Sequence, residues 1–508
     1  MNRICVLLAL SIPHLLAQPD PAQCPANPRM GDASASPAWN GWGADGGNTR
    51  FQPASSLGLQ QVPQLKLKWA FGFPGVRSVL GQPSIAAGRV FIGVDTGVVY
   101  SLDSASGCMY WSFKADAGVR TAITIEGSIA YFGDLRANVY AVNANTGEPV
   151  WKVRVDDHAS ARITGAPKFF GGNLYVPVAS GEEGAGGQAR YACCTFRGSV
   201  VALNATSGKQ VWKTYMIEEA PKVVGKNSNG VERFAPAGAG VWNSPTIDPK
   251  RGALYVGTGD AYAEPAAKTT DAIVALSLES GKMLWSVQDT ENDVWLAACM
   301  GAARPEVCPK VVGPDHDFGA PPILKTLPDG RTLLIAGQKS GNVWAHDPDK
   351  QGAVVWKTAL VNNTTEFGGK IIWGGAADGQ NAYFGLGSGG IAAVQLKDGE
   401  RKWFTALQPA PALASHGGHD GPLTAIPGVV FSGAWDGVVR ALSAADGRVV
   451  WEFDTVRDFK TVNGVAAKGG SMGAAGPVVA AGTLFVPSGY LGVKNGLPGN
   501  VLLAFSVQ

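Results

Sequence analysis

Acidic side chains stand where short apolar segments end, at positions where a strand would give way to a loop. Glu182 and Glu183 follow the segment "LYVPVASG", Asp260 follows "LYVGTG", and Asp315 and Asp317 flank a histidine in "GPDHDFG". Carboxylate oxygens gathered on one face of a protein suit a hard cation such as Ca²⁺. The alternative is that these residues are solvated loop acids that cap turns.

Two adjacent cysteines, Cys193 and Cys194, follow the glutamates by about ten residues in "YACCTFRGSVVAL". Neighbouring Cα atoms across a trans peptide are about 3.8 Å apart, which is less than a disulfide usually spans. A bridge between these two residues would therefore form a rigid, flat, apolar ring. The alternatives are two separate thiols or a ring with a merely structural role.

The composition favours an all-β fold. The 508 residues include 68 glycines and 15 tryptophans, and only 16% are charged. Many turn formers and few helix-favouring charges are typical of short strands joined by tight turns. The formal net charge of +2 gives no electrostatic case for binding nucleic acid.

The first residues, "MNRICVLLALSIPHLLAQPDP", predict a secretory signal peptide over residues 1–17. A membrane anchor is the alternative, but the apolar run is shorter than a bilayer requires. In a bacterium, the mature chain would be periplasmic. Six cysteines remain after cleavage, an even number that suggests disulfides in an oxidising compartment. Cys299 with Cys308, and Cys24 with Cys108, are the other plausible pairs.

Seven segments share one pattern, in which alternating small and apolar residues lead to a glycine, three further residues and a tryptophan. Each reads as two strands around a tight turn, with the tryptophan buried against the next unit. An eighth tryptophan, Trp69, lacks the upstream half, and "GNVLLAFSVQ" at the other end of the chain supplies it. The pattern predicts one eight-bladed β-propeller over residues 18–508, closed by its terminal strands. The seven other repeat tryptophans are Trp111, Trp151, Trp212, Trp285, Trp356, Trp403 and Trp451.

These repeats, together with "NGWGADGGNTRFQ", "CCTFRGSVVALNATSGK", "YVGTGD" and "GPDHDFGAPPI", resemble the quinoprotein alcohol dehydrogenases. Proteins of that family use pyrroloquinoline quinone (PQQ) and a metal ion. The similarity is greatest to the branch around polyvinyl alcohol dehydrogenase and covers essentially the whole mature chain.

The resemblance implies metal ligands and a catalytic base. The metal-binding glutamate maps to Glu182, with Glu183 as its rival, and the metal-binding amide maps to Asp260, where this chain has a carboxylate instead. Asp317 maps to the base that takes the alcohol proton and is a further metal ligand. Asp315 resembles an additional carboxylate of lanthanide-using members, so a lanthanide ion is the alternative to Ca²⁺.

The resemblance also implies how the quinone is bound. Trp242 would stack beneath it, Lys339 and Arg120 would stabilise charge on its oxygens, and Thr164 would supply a hydroxyl contact. In the family a vicinal disulfide covers the opposite face of the quinone, a role that would fall to Cys193 and Cys194. This pair stands one blade later than the family pattern has it.

The implied activity is oxidation of an alcohol, with secondary alcohols or polyols as the favoured substrates. The sequence has no CxxCH motif for covalent haem, so electrons would pass to a separate cytochrome c. The alternative function is a non-enzymatic propeller scaffold of the outer-membrane assembly type. Such a scaffold needs neither the acidic residues nor the stacking tryptophan.

Overall fold

The structure is a computed structural model that describes residues 22–33, 38–300, 305–361, 370–409, 417–492 and 496–507. The predicted signal peptide, residues 1–17, lies outside the described residues. All three predicted disulfides are present, joining Cys24 to Cys108, Cys193 to Cys194 and Cys299 to Cys308.

Eight antiparallel sheets, each containing a four-stranded blade, follow one another along the described chain. The first strand of one blade contacts the first strand of the next in unbroken order from the second blade to the eighth. This arrangement is the predicted eight-bladed β-propeller, with the first strands innermost.

The strands of blades 1 to 4 are as follows. Blade 1 contains β2 (Ser84–Ala86), β3 (Arg89–Gly93), β4 (Val98–Asp103) and β5 (Met109–Lys114). Blade 2 contains β6 (Thr124–Glu126), β7 (Ile129–Gly133), β8 (Asn138–Asn143) and β9 (Pro149–Arg154). Blade 3 contains β11 (Lys168–Phe170), β12 (Asn173–Ser180), β13 (Ser199–Asn204) and β14 (Gln210–Tyr215), with β10 (Ala161–Arg162) paired to the end of β12. Blade 4 contains β17 (Thr246–Asp248), β18 (Ala253–Gly257), β19 (Ala272–Ser277) and β20 (Met283–Gln288).

The remaining blades repeat the same order. Blade 5 contains β21 (Ile323–Thr326), β22 (Thr332–Gly337), β23 (Asn342–Asp347) and β24 (Ala353–Ala359). Blade 6 contains β25 (Ala376–Ala377), β26 (Asn381–Gly385), β27 (Ile391–Gln395) and β28 (Arg401–Thr405). Blade 7 contains β29 (Thr424–Ile426), β30 (Val429–Gly433), β31 (Val438–Ser443) and β32 (Val449–Asp454). Blade 8 contains β35 (Val478–Ala480), β36 (Thr483–Ser488), β37 (Val501–Ser506) and β1 (Lys66–Gly72).

The structure also contains short elements that do not belong to the four-stranded blades. They are the hairpin of β15 (Lys222–Lys226) and β16 (Glu232–Ala235), the pair β33 (Asp458–Phe459) and β34 (Ala467–Lys468), the helix α1 (Glu182–Ala185), and 3-10 turns at Val62–Gln64, Ala297–Cys299 and Pro348–Lys350.

Both ends of the chain build blade 8. The C-terminal strand β37 lies between β36 and the N-terminal strand β1, antiparallel to both. The split eighth repeat therefore closes the ring, as the sequence predicts.

The repeat tryptophans and glycines form the joints between blades. A β carbon on Gly147, where φ is +77°, would lie 2.8 Å from Cδ2 of Trp111 in the preceding blade. The indole Nε1–H of Trp111 donates to the carbonyl of Ala144 at 3.0 Å. Only glycine allows both the turn and this approach. The same contact joins Gly107 to Trp69, Gly208 to Trp151, Gly281 to Trp212, Gly352 to Trp285, Gly399 to Trp356 and Gly447 to Trp403.

An irregular segment, residues 39–52, runs around the inside of the ring, and we call it the inner belt. Hydrogen bonds join it to the innermost strand of each of blades 1 to 7 and to the residue before that strand in blade 8. The partners in chain order are Ile85, Ile125, Lys168, Ile247, Leu324, Ala377, Ala425 and Pro477. The guanidinium of Arg50, fully buried beside Trp39 and Trp42, fixes the end of the belt.

Candidate functional site

All of the predicted site residues lie in two kinds of loop. One kind joins the second and third strands of a blade, and the other joins the last strand of a blade to the first strand of the next. Because strand direction alternates within each blade, both kinds open on the same face of the propeller. This face collects Arg120, Thr164, Glu182, Glu183, Cys193, Cys194, Trp242, Asp260, Asp315, Asp317 and Lys339.

Three of the predicted acids form one buried cluster. Asp260, Asp315 and Asp317 each offer a carboxylate oxygen, and these oxygens all lie within 4.8 Å of one another. The amide N–H of Asp260 donates to Oδ1 of Asp317 at 2.8 Å. Oδ2 of Asp260 is buried and has no hydrogen-bond partner among the described residues. A hard cation would satisfy that oxygen and bind the other carboxylates, so the residues fit a metal ion.

Two lysines enter this cluster. Nζ of Lys339 lies 2.6 Å from Oδ1 of Asp315 and 2.8 Å from Oδ2 of Asp317. Nζ of Lys370 lies 2.6 Å from Oδ2 of Asp315. The carboxylate of Asp315 is therefore held between two ammonium groups, whereas Asp317 shares only one of them.

Burial and local charges together shift the pKa of each carboxyl group in the cluster. Burial raises the pKa of Asp317 above its ordinary value, although the charge of Lys339 opposes the shift. Burial and the charge of Asp317 raise the pKa of Asp260 well above its ordinary value. Burial would also raise the pKa of Asp315, but Lys339 and Lys370 outweigh it and hold that pKa below its ordinary value. The positive charge of Lys339 thus does not offset the burial of Asp260 and Asp317, and a bound cation would supply the remainder.

The two glutamates of α1 point in different directions. The Glu182 carboxylate is fully buried and accepts hydrogen bonds from the backbone amides of Thr195 and Phe196. Glu183 lies within electrostatic reach of Lys339 and the cluster. Burial raises the pKa of Glu183 to about 7, with Lys339 opposing and Asp317 adding to the shift. Of the two glutamates, Glu183 is the one with electrostatic contact to the carboxylate cluster.

A small cavity lies beside this cluster. The rings of Trp242 and Trp373 meet edge to face in its wall, with centroids 5.3 Å apart. Cζ of Arg120 stands 4.4 Å from the Trp373 centroid, and Nζ of Lys339 stands 5.2 Å from that of Trp242. Lys339 therefore contacts both the acidic cluster and Trp242, whose indole forms the floor of the cavity. The lining residues are Trp42, Arg120, Thr164, Gly165, Trp242, Asn243, Ser244, Gly319, Pro321, Trp373 and Ala474.

The position of Trp242 depends on small neighbours. A β carbon on Gly319 would lie 2.0 Å from Cη2 of Trp242, so a larger residue would displace the indole. Oγ1 of Thr164 donates to the backbone carbonyl of Trp242 at 3.3 Å. The flat indole of Trp242 and the guanidinium of Arg120, which line the same cavity, fit a planar, anionic ligand such as a quinone.

Cys193 and Cys194 lie elsewhere. They are buried in an apolar cluster with Phe196, Tyr262 and Leu296, and neither is among the described residues that line the cavity. Their cover of a quinone face stays a prediction. Their packing beneath α1 in blade 3 favours a different role, in support of that helix.

Sequence reasoning missed several residues of the site. Trp42 and Trp373 line the cavity, and Lys370 pairs with Asp315. Asp293 accepts hydrogen bonds from the amides of Asp315 and His316, at 3.2 and 2.7 Å, and so shapes the loop that carries Asp317. One clue to Trp42 and Trp373 was available in the sequence. Unlike the repeat tryptophans, neither stands at the end of a repeat, so neither is explained by packing between blades.

Comparisons with known proteins identify relatives of the chain. A sequence profile described as glucose/ethanol/alcohol dehydrogenase, β-propeller domain, matches residues 196–297, and one described as outer membrane protein assembly factor BamB matches residues 64–223. A polyvinylalcohol dehydrogenase of a Pseudomonas species is 40% identical, with the match covering 94% of this chain and 78% of that protein. A polyvinylalcohol dehydrogenase of Sphingopyxis sp. (strain 113P3) is 35% identical, covering 96% and 79%.

The fold has close counterparts among solved structures. A quinohemoprotein alcohol dehydrogenase of Pseudomonas putida superposes with a TM-score of 0.70 at 18% identity, covering 92% of this chain and 80% of the other. Within the part of the chain that the structure describes, no helix is long and apolar enough to cross a membrane.

Proposed function

Because the chain belongs to the PQQ-dependent quinoprotein alcohol dehydrogenases, we propose that it oxidises secondary alcohols, including polyols of the polyvinyl alcohol type, to carbonyl compounds. The observation that carries this proposal is the position of Lys339. Its ammonium group contacts the buried carboxylate of Asp317 and also stands over the ring of Trp242 in the cavity. The substrate class is supported by two relatives, each sharing most of the chain's length, that are polyvinyl alcohol dehydrogenases.

The cavity and the cluster would hold the two cofactors side by side. PQQ would lie against Trp242, with Arg120 and Lys339 near its anionic groups and Thr164 at the edge. The metal ion would be bound by Glu183, Asp260 and Asp317. Bound PQQ supplies two-electron oxidation of the alcohol carbon, and a bound cation supplies electrostatic polarisation of the site.

Asp317 would act as the general base. Its Oδ1 accepts the Asp260 amide hydrogen and its Oδ2 faces Lys339, so the carboxylate is fixed in orientation before substrate arrives. In this role it takes the proton of the alcohol hydroxyl, while Lys339 stabilises negative charge beside it.

The charges of the cluster favour Ca²⁺ over a lanthanide ion. Four carboxylates face two lysine ammonium groups, which leaves two negative charges for a cation to balance. These groups are Glu183, Asp260, Asp315, Asp317, Lys339 and Lys370. Asp315 is paired with both lysines, so they offset most of its negative charge. It therefore contributes little of the charge that a third positive charge on the metal ion would need.

The proposal includes an exported protein and a separate electron acceptor. We infer that residues 1–17 are a signal peptide, that the mature enzyme works in the periplasm, and that it passes electrons to a cytochrome c. Amino-terminal sequencing of the exported protein tests the first point. Reduction of added cytochrome c during turnover tests the last.

Reconstitution tests the activity. The purified protein would be supplied with PQQ and either Ca²⁺ or La³⁺, and reduction of an artificial dye followed with primary alcohols, secondary alcohols, 1,3-diols, polyvinyl alcohol and aldoses. We expect dye reduction that requires quinone and metal together and is fastest with secondary alcohols and 1,3-diols. Faster turnover of aldoses or primary alcohols would overturn the substrate class. Absence of quinone binding with either metal would overturn the site and favour a scaffold.

A further inference from the structure

We propose that Glu182 is a positioning residue, which anchors α1 so that its neighbour Glu183 faces the carboxylate cluster. The inference rests on the proposed function, because it takes Glu183 to be a metal ligand. It assigns to Glu182 a role different from that of a ligand, and it explains why two adjacent glutamates are present.

The Glu182 carboxylate is saturated by donors that do not belong to the carboxylate cluster. Oε1 accepts hydrogen bonds from the Thr195 amide at 2.9 Å and the Tyr191 hydroxyl at 3.0 Å. Oε2 accepts from the Phe196 amide at 2.8 Å and again from the Thr195 amide at 3.1 Å. Hydrogen bonds to an ionised carboxylate are about twice as strong as neutral ones. A buried carboxylate with this set of donors has little capacity left for a metal ion.

The helix needs such an anchor. It contains only four residues, Glu182–Ala185, with Gly181 before it and Gly184 within it. A helix this short has no stability of its own, and glycine weakens it further. The direction of the Glu183 side chain therefore depends on what ties α1 to the rest of the protein.

His158 extends the anchor beyond the backbone amides. Its Nδ1 accepts the amide hydrogen of Ser160 at 3.1 Å, which leaves Nε2 as the protonated nitrogen of a neutral imidazole. Nε2 lies 3.0 Å from Oγ1 of Thr195 and 3.4 Å from Oε1 of Glu182. The histidine thus contacts both Glu182, in α1, and Thr195, in the loop that follows the cysteine pair.

The cysteine pair completes the anchor. Thr195 and Phe196, which donate to Glu182, directly follow Cys193 and Cys194 in the chain. A β carbon on Gly186, just after α1, would lie 2.7 Å from Sγ of Cys193. The ring formed by the two cysteines therefore packs against the end of the helix whose start is held by Glu182.

Metal titration of quinone-free protein tests this role. The dissociation constants of Ca²⁺ and Tb³⁺ would be measured for the wild type, Glu182→Gln, Glu183→Gln and Tyr191→Phe, with melting temperatures of the metal-free proteins. Loss of a residue that orients a metal ligand typically weakens metal binding about 10- to 100-fold. We expect that loss of metal affinity for Glu182→Gln. In a separate assay with PQQ, its kcat for dye reduction should recover at saturating metal, because the metal ligands remain.

The other variants serve as controls. Glu183→Gln removes a ligand, so we expect a larger loss of affinity and no recovery of kcat at saturating metal. Tyr191→Phe removes one donor and leaves both amides, so we expect a smaller loss of affinity than for Glu182→Gln.

Three outcomes would overturn the inference. A folded Glu182→Gln protein with wild-type metal affinity shows that Glu182 does not position the site. A loss that equals that of Glu183→Gln and does not recover at saturating metal shows that Glu182 is itself a ligand. A wild type that binds neither metal overturns the proposed function and the inference with it. If Glu182→Gln does not fold, His158→Ala combined with Tyr191→Phe replaces it, and unchanged metal affinity there counts against the anchor.

Discussion

The carboxylate of Asp317 contacts an amide hydrogen through one oxygen and Lys339 through the other, at the boundary between the acidic cluster and the cavity. The resemblance to the family singled out this residue in "GPDHDFG" as the candidate base. The sequence could not decide between Glu182 and Glu183 in this way. That choice depends on the orientation of a four-residue helix, which is held by donors more than ten residues further along the chain. Lys370 could not be predicted either, since its contact with Asp315 spans 55 residues of chain.

Replacing the base should remove turnover while binding persists. We expect Asp317→Asn to lower kcat for dye reduction about 10²- to 10⁴-fold, the range typical of a general base. PQQ affinity should remain within a few-fold of the wild type, because the indole floor and Arg120 are intact. Asp329→Asn is the control, since Asp329 is an exposed partner of Arg331 and should leave kcat unchanged. Wild-type kcat in Asp317→Asn would exclude Asp317 as the base.

A buried histidine outside the site should make stability depend on pH. Burial, with the nearby charge of Arg440, lowers the pKa of His419 to about 3. Between that value and about 6.5 the unfolded chain binds a proton that the folded chain does not. The stabilisation is therefore complete above about pH 6.5 and is lost as the pH falls towards the folded value.

Urea unfolding of the wild type and His419→Asn measures this effect. At pH 5 the histidine should cost the wild type about 2 kcal/mol of its unfolding free energy relative to pH 7. The asparagine does not titrate, so the variant should lose correspondingly less over the same interval. Equal pH dependence in the two proteins would show that His419 is not neutral in the folded state.

At the scale of single elements, the long insertion of blade 3 shows where prediction from sequence ends. The adjacent cysteines were correctly predicted to pair. Their expected contact with the quinone came from the family pattern, although they stand one blade later in this chain. The path of an irregular insertion depends on tertiary contacts that carry no periodic signal in the sequence. The structure places the ring among Phe196, Tyr262 and Leu296, beneath α1.

The cysteine pair should therefore affect the metal and not the quinone. Replacing Cys193 and Cys194 together by serine should leave PQQ affinity within about threefold and weaken metal binding about tenfold, as loss of support for a metal ligand does. Fluorescence quenching by PQQ and Tb³⁺ luminescence measure the two affinities. Replacing Cys24 and Cys108, a disulfide at blade 1, should change neither. A large loss of PQQ affinity with unchanged metal affinity would restore the pair to the quinone site.

At the scale of the whole molecule, the repeats were the strongest signal in the sequence. The glycine–tryptophan spacing predicted eight blades, and the split eighth repeat predicted closure by the terminal strands. The inner belt was not predicted, because residues 39–52 have no regular pattern and their partners lie on all eight blades. Through Trp42 this belt also reaches the cavity, which links ring assembly to the site.

The joints between blades can be tested with a pair of glycines. Gly147→Ala adds backbone strain and pushes a β carbon against Trp111, whereas Gly127→Ala adds strain at a φ of +55° with nothing within 4 Å. We expect about 1 kcal/mol of destabilisation for Gly127→Ala and a further 1–3 kcal/mol for Gly147→Ala from overpacking. Urea unfolding at constant metal concentration measures both. Equal losses would show that the tryptophan contact does not hold the blades together.

The central claim is that Glu183, Asp260 and Asp317 hold a metal ion beside a quinone lying on Trp242. Crystals grown with PQQ and La³⁺ or Ca²⁺ test it directly, through the anomalous difference map and the electron density of the quinone. We predict one metal peak bonded to these three carboxylates, next to a planar ligand on Trp242 within reach of Arg120 and Lys339. A metal bonded to Glu182, or a quinone bound away from Trp242, would contradict the account.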